Sequence, residues 1–180
     1  MQDYDVRHRL RYCVLAALLC SGIIAGTYIR LPLPIGIPIT FQVPMIQLAA
    51  LGLPAPFGIL AVSLYLTLGA FGFPVFSNGG GISYFFEITG GYLVGFWIAT
   101  FLCQILQKKI IKHWLSILFA LIVHSTIIYL LGISWQAYIT NTLWMDVAIA
   151  MTPFILTSIP KILLAYLMII ALRKTLKRKF

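Results

Sequence analysis

Between Lys112 and Arg173 the chain contains one Lys or Arg, Lys161, and one acidic residue, Asp146. In the chain as a whole, 61% of the residues are hydrophobic and only 9% are charged, whereas a soluble domain carries about 25% charged residues. Apolar runs of about 20 residues are typical of membrane-spanning segments. The sequence therefore predicts an all-α membrane protein, with residues 1–180 forming a single integral membrane domain.

The apolar runs predict six transmembrane helices, since a span needs about 20 residues and can be shorter beside an extended segment. We place them at 12–29, 41–53, 57–70, 90–107, 114–131 and 153–172. The first run is expected to remain as a helix, because no signal-peptide cleavage pattern follows it. Leu31–Pro38 is too rich in proline for a helix, and Pro160 is expected to interrupt the last helix.

The basic residues indicate the orientation in the membrane. The net charge is +9, and the Lys and Arg residues cluster at 7–11, 108–112 and 173–179. Six crossings place these three clusters on one side, and the positive-inside rule makes that side the cytoplasm. Both termini are then cytoplasmic, and the long connections 30–40, 71–89 and 132–152 face outward. Clusters that border apolar runs disfavour nucleic-acid binding and can contact anionic lipid headgroups.

The sequence gives little support for an enzymatic function. Gly79–Gly81 is not followed by the Lys of a phosphate-binding loop, so the chain has no ATPase motif of its own. The cysteines and histidines show no metal-ligand spacing, so we expect no metal site. Ser125 follows His124 directly, and adjacent helical residues point apart, which disfavours a nucleophile and base pair.

Lys161 is the residue that most strongly suggests a site. A charged amine within an apolar helix costs several kcal/mol, about 2.5 or more, so such residues usually face the bundle interior and serve a function. If Pro160 begins a new helical segment, Lys161 lies at its start and is a candidate receptor for an anionic group. The alternative is that its long side chain reaches the nearer membrane interface.

Four segments, taken in order, carry a family pattern. Pro38–Gln42 has the pattern Pro-x-Thr-x-Gln, and Gly69–Phe76 has Gly-Ala-x-Gly-x-Pro-Val-Phe. Thr89–Phe96 has Thr-Gly-Gly-Tyr-x-x-Gly-Phe, and Lys161 follows Pro153 by eight residues. Over about residues 10–175 the chain resembles the BioY family. The members of this family are the biotin-specific substrate-capture (S) components of energy-coupling-factor (ECF) transporters.

The resemblance implies a fold, a function and partners. The fold is that of an ECF S component, with six helices and long outward connections. The function is high-affinity biotin uptake across the bacterial cytoplasmic membrane, with biotin as transported ligand rather than cofactor. The partners are a membrane scaffold subunit and two cytoplasmic ATPases that supply the energy. Ala17, Ser21 and Ala25 would form the docking face for the scaffold, although such a small-residue face also suits packing within the chain.

Biotin has a carboxylate, an apolar chain and a polar ureido ring, and the sequence offers candidates for each. The resemblance puts Lys161 at the ligand, where it would bind the carboxylate. Asn78, Gln42 and Thr40 can donate and accept, as a ureido group requires, or can cap loops and helices instead. Six aromatic residues are candidates for an apolar sleeve around the ligand: Phe76, Tyr84 and Tyr92, and further Phe41, Phe73 and Phe85. The alternative is that these side chains pack in the protein core or lie in the aromatic belt at the membrane interface.

Two departures from the family pattern affect the polar contacts. Glu87-Ile88 stands where the family has Gly-Pro, and Ser158 stands where it has an acid before the lysine. Glu87 and Asp146 are candidates for the missing acid. The rival interpretation is a stand-alone transporter for another small organic anion, which would work without an ATPase and use Asp146 or His124 for ion coupling.

Overall fold

The computed structural model describes residues 2–31, 39–110 and 114–177. In these ranges the chain forms seven α-helices, one short 3-10 helix and a two-stranded ribbon. The helices are α1 Gln2–Tyr28, α2 Gln42–Gly52, α3 Phe57–Ala70, α4 Gly90–Ile110, α5 Trp114–Thr140, α6 Trp144–Ala150 and α7 Thr152–Lys177. The strands are β1 Arg30–Leu31 and β2 Ile39–Thr40, and the 3-10 helix is Ile82–Phe86.

The predicted class, an all-α membrane protein, is confirmed. Three helical segments are long and apolar enough to cross a membrane, namely Val6–Tyr28, Trp114–Thr140 and Thr152–Leu176. Phe57–Ala70 and Gly90–Leu106 are apolar but shorter, and α2 has only 11 residues. The protein is therefore a multi-pass membrane protein, and helix length by itself accounts for three of the six predicted crossings. Most of the predicted proline-rich stretch, residues 32–38, lies outside the described residues, as do Lys112, Arg178 and Lys179.

The predicted end of the fifth helix at residue 131 is wrong. α5 continues to Thr140, and α6 follows after three residues, so the expected connection 132–152 is largely helical. Gly132 lies within this helix and allows close packing on α4, because a Cβ at this position would collide with the Tyr92 ring. Likewise α1 begins at Gln2, well before the predicted start near residue 12.

The predicted interruption at Pro160 is also wrong. Pro160 lies within the continuous helix α7, with its side chain exposed on the outside of the bundle. A proline in a membrane helix is tolerated when local hydroxyl groups and neighbouring helices satisfy the freed backbone groups. Consequently Lys161 does not begin a helix, and the free backbone N–H groups expected beside it are not available.

The short helix α2 lies at the centre of the bundle and packs on α1, α3, α4, α5 and α7. Gln104 of α4 holds its C-terminal end. The Gln104 Nε2 donates to the carbonyl oxygens of Ala50 and Leu53, each at 3.1 Å, and its Oε1 accepts from the Ile59 N–H at 3.2 Å. One buried amide thus satisfies three backbone groups at the turn between α2 and α3.

One end of the bundle carries the β1–β2 ribbon and the connection 71–89, and we call this end the loop face. In the ribbon, Arg30 pairs with Thr40 and Leu31 with Ile39 in antiparallel register. In the connection, Phe76 and Gly79 pair with each other across a tight turn. Gly79 and Gly81 have φ angles of 140° and 118°, which favour glycine. The loop face therefore has an ordered backbone that can close over the helices.

Candidate ligand-binding cavity

A cavity opens beneath the loop face between α2, α3, α4, α5 and α7. The space between its walls, counted together with its open mouth, is about 700 Å³. The wall is mostly aromatic and aliphatic, with several hydroxyl groups, one amide and one amine. It is formed by Thr40, Gln42, Val43, Tyr65, Phe76, Ser77, Tyr84, Thr89, Tyr92, Leu93, Phe96, Ser125, Ile128, Tyr129, Phe154 and Lys161.

Lys161 supplies the single cation of this wall. Its side chain is partly buried, and its ammonium makes no hydrogen bond or ion pair within residues 2–31, 39–110 and 114–177. None of the described lining residues is an acid. A partly buried amine without a protein counter-ion favours the binding of an anion from outside the protein.

Tyr129 and Ser158 form a hydroxyl pair on the same side of the cavity. The Tyr129 hydroxyl lies 2.7 Å from the Ser158 Oγ, and both lie within hydrogen-bond distance of the Phe154 carbonyl oxygen, at 3.1 and 2.8 Å. Phe154, Ser158 and Lys161 share one face of α7, since they are four and three residues apart. Ser158 is thus turned to Tyr129 and stays outside the wall, so it positions a lining residue instead of lining the cavity itself.

Gln42 and Tyr65 form the polar pair of the opposite wall. The Gln42 Nε2 donates to the Tyr65 hydroxyl at 2.7 Å, and both side chains are buried. This bond fixes the orientation of the amide. The Gln42 Oε1, which makes no hydrogen bond within the described residues, is left to accept one from a ligand N–H group.

Phe76 is the centre of an aromatic cluster between these two walls. Its ring is 1% exposed and lies 5.5 Å from Tyr65 in an edge-to-face arrangement and 5.0 Å from Tyr84. Gly69 of α3 permits this position, because a Cβ there would overlap the Phe76 ring. On the other side, the Tyr92 hydroxyl donates to the Gln136 Oε1 at 3.3 Å. Anchored aromatic rings of this kind form a rigid apolar sleeve.

Besides Ser158, three further predicted polar site residues do not line the cavity. Asn78 is exposed; its backbone N–H donates to the Tyr84 hydroxyl at 3.1 Å and its Oδ1 accepts from Arg30 at 3.0 Å. Glu87 is exposed and presents its backbone carbonyl to the Trp135 Nε1 at 2.9 Å. Asp146 is exposed on α6, away from the wall. The acid that Ser158 replaces is therefore not supplied by Glu87 or Asp146 in this conformation.

Among the six aromatic candidates, Phe76, Tyr84 and Tyr92 lie in the wall. Phe41, Phe73 and Phe85 do not, and Phe85 packs behind Phe76 with a centroid distance of 5.8 Å. Thr40, Gln42 and Lys161 also lie in the wall. The cavity thus brings together residues from four distant parts of the chain that the sequence had singled out.

Sequence reasoning missed Tyr65, Thr89, Ser125 and Tyr129. Tyr65 and Tyr129 each lie within an aliphatic helix. A buried tyrosine hydroxyl needs a hydrogen-bond partner, and this need is the sequence signal that could have identified them. Thr89 precedes α4, and its Oγ1 is buried without a hydrogen-bond partner in the described part of the chain. A buried hydroxyl that lacks a protein partner beside a cavity is a candidate contact for a ligand.

Below the cavity a polar layer crosses the bundle. Ser125 in the cavity floor accepts a hydrogen bond of 2.9 Å from the Gln47 Nε2. The neighbouring His124 is fully buried, with its Nε2 3.3 Å from the Thr100 Oγ1. His124 is therefore held within the bundle, as expected for a packed histidine. It does not line the cavity.

The proposed docking residues lie on a different surface. Ala17, Ser21 and Ala25 are exposed along one face of α1, and the Ser21 Oγ donates to the Ala17 carbonyl at 3.1 Å. The hydroxyl is thus satisfied within its own helix, which keeps the face smooth and uncharged. This stripe does not form part of the helix packing, so the alternative of packing within the chain does not hold for these three side chains.

In its described residues this helical membrane protein combines a lateral stripe of small residues with a loop-covered cavity whose wall contains one amine. This combination is that of a substrate-binding membrane protein. The match to known proteins is more specific. The model of the BioY family covers residues 1–178, and the chain belongs to this family.

Similar proteins agree with this assignment. The biotin transporter BioY of Thermotoga maritima is 32% identical over 167 residues, which cover 92% of this chain and 97% of that protein. The biotin transporter BioY2 of Lactococcus lactis subsp. cremoris is 32% identical over 149 residues, covering 81% and 82% of the two chains. A crystal structure of the S-component for biotin from an ECF-type ABC transporter superimposes with a TM-score of 0.78 at 22% identity, covering 95% of this chain and 93% of that one. The fold is thus shared over nearly the whole length.

Proposed function

We propose that this protein captures biotin from outside the cell and delivers it across the cytoplasmic membrane as the substrate-specific S component of an ECF transporter. The observation that carries the proposal is the amine of Lys161, which has no hydrogen bond or ion pair in the described part of the chain and lies in a wall of aromatic and hydroxyl groups. This combination suits a small molecule that has one carboxylate and one neutral polar ring. The names of the full-length relatives from Thermotoga and Lactococcus support the choice of biotin.

The cavity offers a complement to each part of biotin. Lys161 binds the carboxylate through a charge-assisted hydrogen bond. The sleeve of Phe76, Tyr84 and Tyr92 encloses the apolar chain and the thioether ring. Gln42 accepts an N–H of the ureido group through its free Oε1, with Thr40 beside it in the wall.

The energy for uptake comes from partner proteins in this proposal. A scaffold subunit docks on Ala17, Ser21 and Ala25, and two cytoplasmic ATPases drive release of the ligand to the inside. The exposure of these three small side chains on α1 supports a close approach of a partner helix. The basic clusters near both ends of the chain support cytoplasmic termini, so that the loop face opens outward.

The test is equilibrium binding of biotin and of biotin amide to the purified, detergent-solubilised full-length protein and its Lys161→Met variant. We expect tight binding of biotin, weaker binding of the amide, and a loss of about tenfold to a hundredfold for biotin in Lys161→Met. The amide should be affected little by that substitution. Lys174→Met, exposed on the same helix, is the matched control and should bind as the wild type.

Two outcomes would contradict the proposal at different points. If biotin and the amide bound with equal affinity, biotin would remain the ligand, but a contact between Lys161 and the carboxylate would be excluded. Absence of binding at micromolar biotin would exclude biotin as the ligand. Uptake of another organic anion by cells that lack the ATPases would then favour the stand-alone transporter.

A further inference from the structure

Arg30 connects the two parts of the loop face. Its backbone pairs with Thr40, which lies in the cavity wall. Its Nη1 donates to the Ser77 carbonyl oxygen and, at 3.0 Å, to the Asn78 Oδ1. One residue therefore links the β1–β2 ribbon to the turn that closes the connection 71–89.

A chain of hydrogen bonds connects Arg30 to the cavity wall. Asn78, held by the guanidinium, donates its backbone N–H to the Tyr84 hydroxyl at 3.1 Å. Both Ser77 and Tyr84 line the cavity, whereas Arg30 and Asn78 do not. Arg30 thus acts on the wall through two neighbours and has no direct position at the ligand.

The turn is a compact unit that is attached to its surroundings at several points. Phe76 and Gly79 exchange two backbone hydrogen bonds of 2.9 and 3.2 Å, and the Gly81 N–H donates to the Gly69 carbonyl at 2.7 Å. Between them Asn78 is exposed, and its side chain makes its hydrogen bond to Arg30. A second tie, from the Tyr28 hydroxyl to the Pro74 carbonyl, joins the end of α1 to the same connection.

We propose that Arg30 is a positioning residue that holds the Ser77–Asn78 turn against the β1–β2 ribbon and thereby sets the rate at which biotin leaves the cavity. The inference rests on the proposed function for its ligand. Charge-assisted bonds from a guanidinium to carbonyl oxygens are stronger than neutral ones. Loss of these bonds frees the turn that carries Ser77 and contacts Tyr84, and the mouth opens more often.

The alternative role for an exposed cation at a cavity mouth is to attract the anionic ligand. The two roles differ in the kinetic constant that they change. Electrostatic attraction raises the association rate, depends on salt, and applies to biotin but not to biotin amide. A tie across the mouth lowers the dissociation rate of both ligands to the same extent.

The experiment measures association and dissociation rates of radiolabelled biotin and biotin amide on the full-length protein in nanodiscs. For Arg30→Ala we expect dissociation of both ligands to be about fivefold faster, with no fall in the association rate of either. Arg30→Lys should recover part of the loss, because an ammonium can still donate to these acceptors but is more strongly hydrated and sits on a more flexible side chain. Lys174→Ala, an exposed cation on α7, is the control for a change in net charge.

A substitution with the opposite effect provides the sharper test. Asn78→Asp places a carboxylate where the Oδ1 already accepts from Arg30, so an ion pair replaces a neutral acceptor. Dissociation should then be slower than in the wild type, and this gain should vanish in the double variant Arg30→Ala/Asn78→Asp. Unchanged dissociation in Arg30→Ala, or a salt-dependent fall in association confined to biotin, overturns the proposal.

A measurement without ligand separates this inference from the proposed function. Hydrogen exchange of the backbone amides of Phe76, Asn78 and Gly79 reports the opening of the turn in the ligand-free protein. Arg30→Ala should increase their exchange by about fivefold, and Asn78→Asp should decrease it. If the wild type fails to bind biotin, the proposed function is wrong while this comparison still decides whether Arg30 holds the turn.

Discussion

The Gln42 Nε2 lies 2.7 Å from the Tyr65 hydroxyl, and this bond joins the first turn of α2 to the middle of α3 across the cavity wall. A glutamine side chain has three rotatable bonds, and its entropy must be overcome when it binds a ligand. Tyr65 removes that freedom in advance and leaves the Gln42 Oε1, which has no partner among the described residues, to accept from a ligand. The pair therefore determines which polar group the wall presents.

Tyr65→Phe should weaken biotin binding by about threefold to tenfold, since it removes one hydrogen bond and frees the Gln42 amide without changing the volume of the ring. Calorimetric titration of the purified variant gives the affinity. Tyr138→Phe, at an exposed position on α5, should leave the affinity unchanged. Wild-type affinity in Tyr65→Phe would show that Gln42 is positioned by other contacts.

Ser158→Ala should reduce the affinity for biotin because it removes the hydroxyl that lies 2.7 Å from Tyr129. We expect a loss of about threefold to tenfold. A double-mutant cycle with Tyr129→Phe tests the mechanism, because two residues that act through one contact give non-additive losses. Additive losses would instead mean that Ser158 and Tyr129 contribute separately. Thr175→Ala, an exposed threonine of α7 whose hydroxyl donates only within its own helix, is the control.

Gln104→Leu should destabilise the fold without altering the site. It leaves the carbonyl groups of Ala50 and Leu53 and the N–H of Ile59 without this partner, which costs about 2 kcal/mol or more. For a chain of this size we expect the apparent Tm in detergent to fall by about 5 °C. Thr126→Val, on the outer surface of α5, serves as the control. A normal Tm would mean that other groups satisfy the turn.

The boundaries of α3 follow from its sequence, whereas those of α5 do not. Pro54 and Pro56 precede Phe57, and a helix readily begins after such a turn, so the predicted range 57–70 coincides with α3. Gly132 suggested a helix end, but its small size serves contact with Tyr92 on another helix. Single-sequence patterns cannot distinguish a glycine that breaks a helix from one that allows two helices to approach.

In the candidate site, too, some residues could be predicted from the sequence and others could not. Lys161 could be recognised because a lone cation in an apolar helix has few explanations. Asn78 was expected at the ligand because of its chemistry, yet it faces Arg30 and Tyr84, a contact that depends on how two distant connections meet. Tyr65 and Tyr129 lacked any local motif, and only the packing of the helices places their hydroxyl groups at the cavity.

Thr89→Val should weaken biotin binding by about threefold to tenfold if the buried Oγ1 contacts the ligand. Valine has the same shape, so the apparent Tm should not fall, and the removal of an unpartnered polar atom can even raise it. Thr89→Ser keeps the hydroxyl and should bind almost as the wild type. Thr67→Val on the outside of α3 is the control; equal affinity in all three variants would place Thr89 outside the contact with the ligand.

Substitutions on the α1 stripe should separate capture of biotin from its transport. Ser21→Leu and Ala25→Leu enlarge exposed side chains far from the cavity, so purified variants should bind biotin with wild-type affinity. Because small residues are what permit close helix approach, co-purification with the scaffold subunit and uptake into cells should fall at least about tenfold. Ala171→Leu makes the same change at an exposed position on α7 and should preserve both. Normal uptake by Ser21→Leu and Ala25→Leu would show that the scaffold docks on another face, whereas weaker binding in detergent would show that the stripe affects the cavity itself.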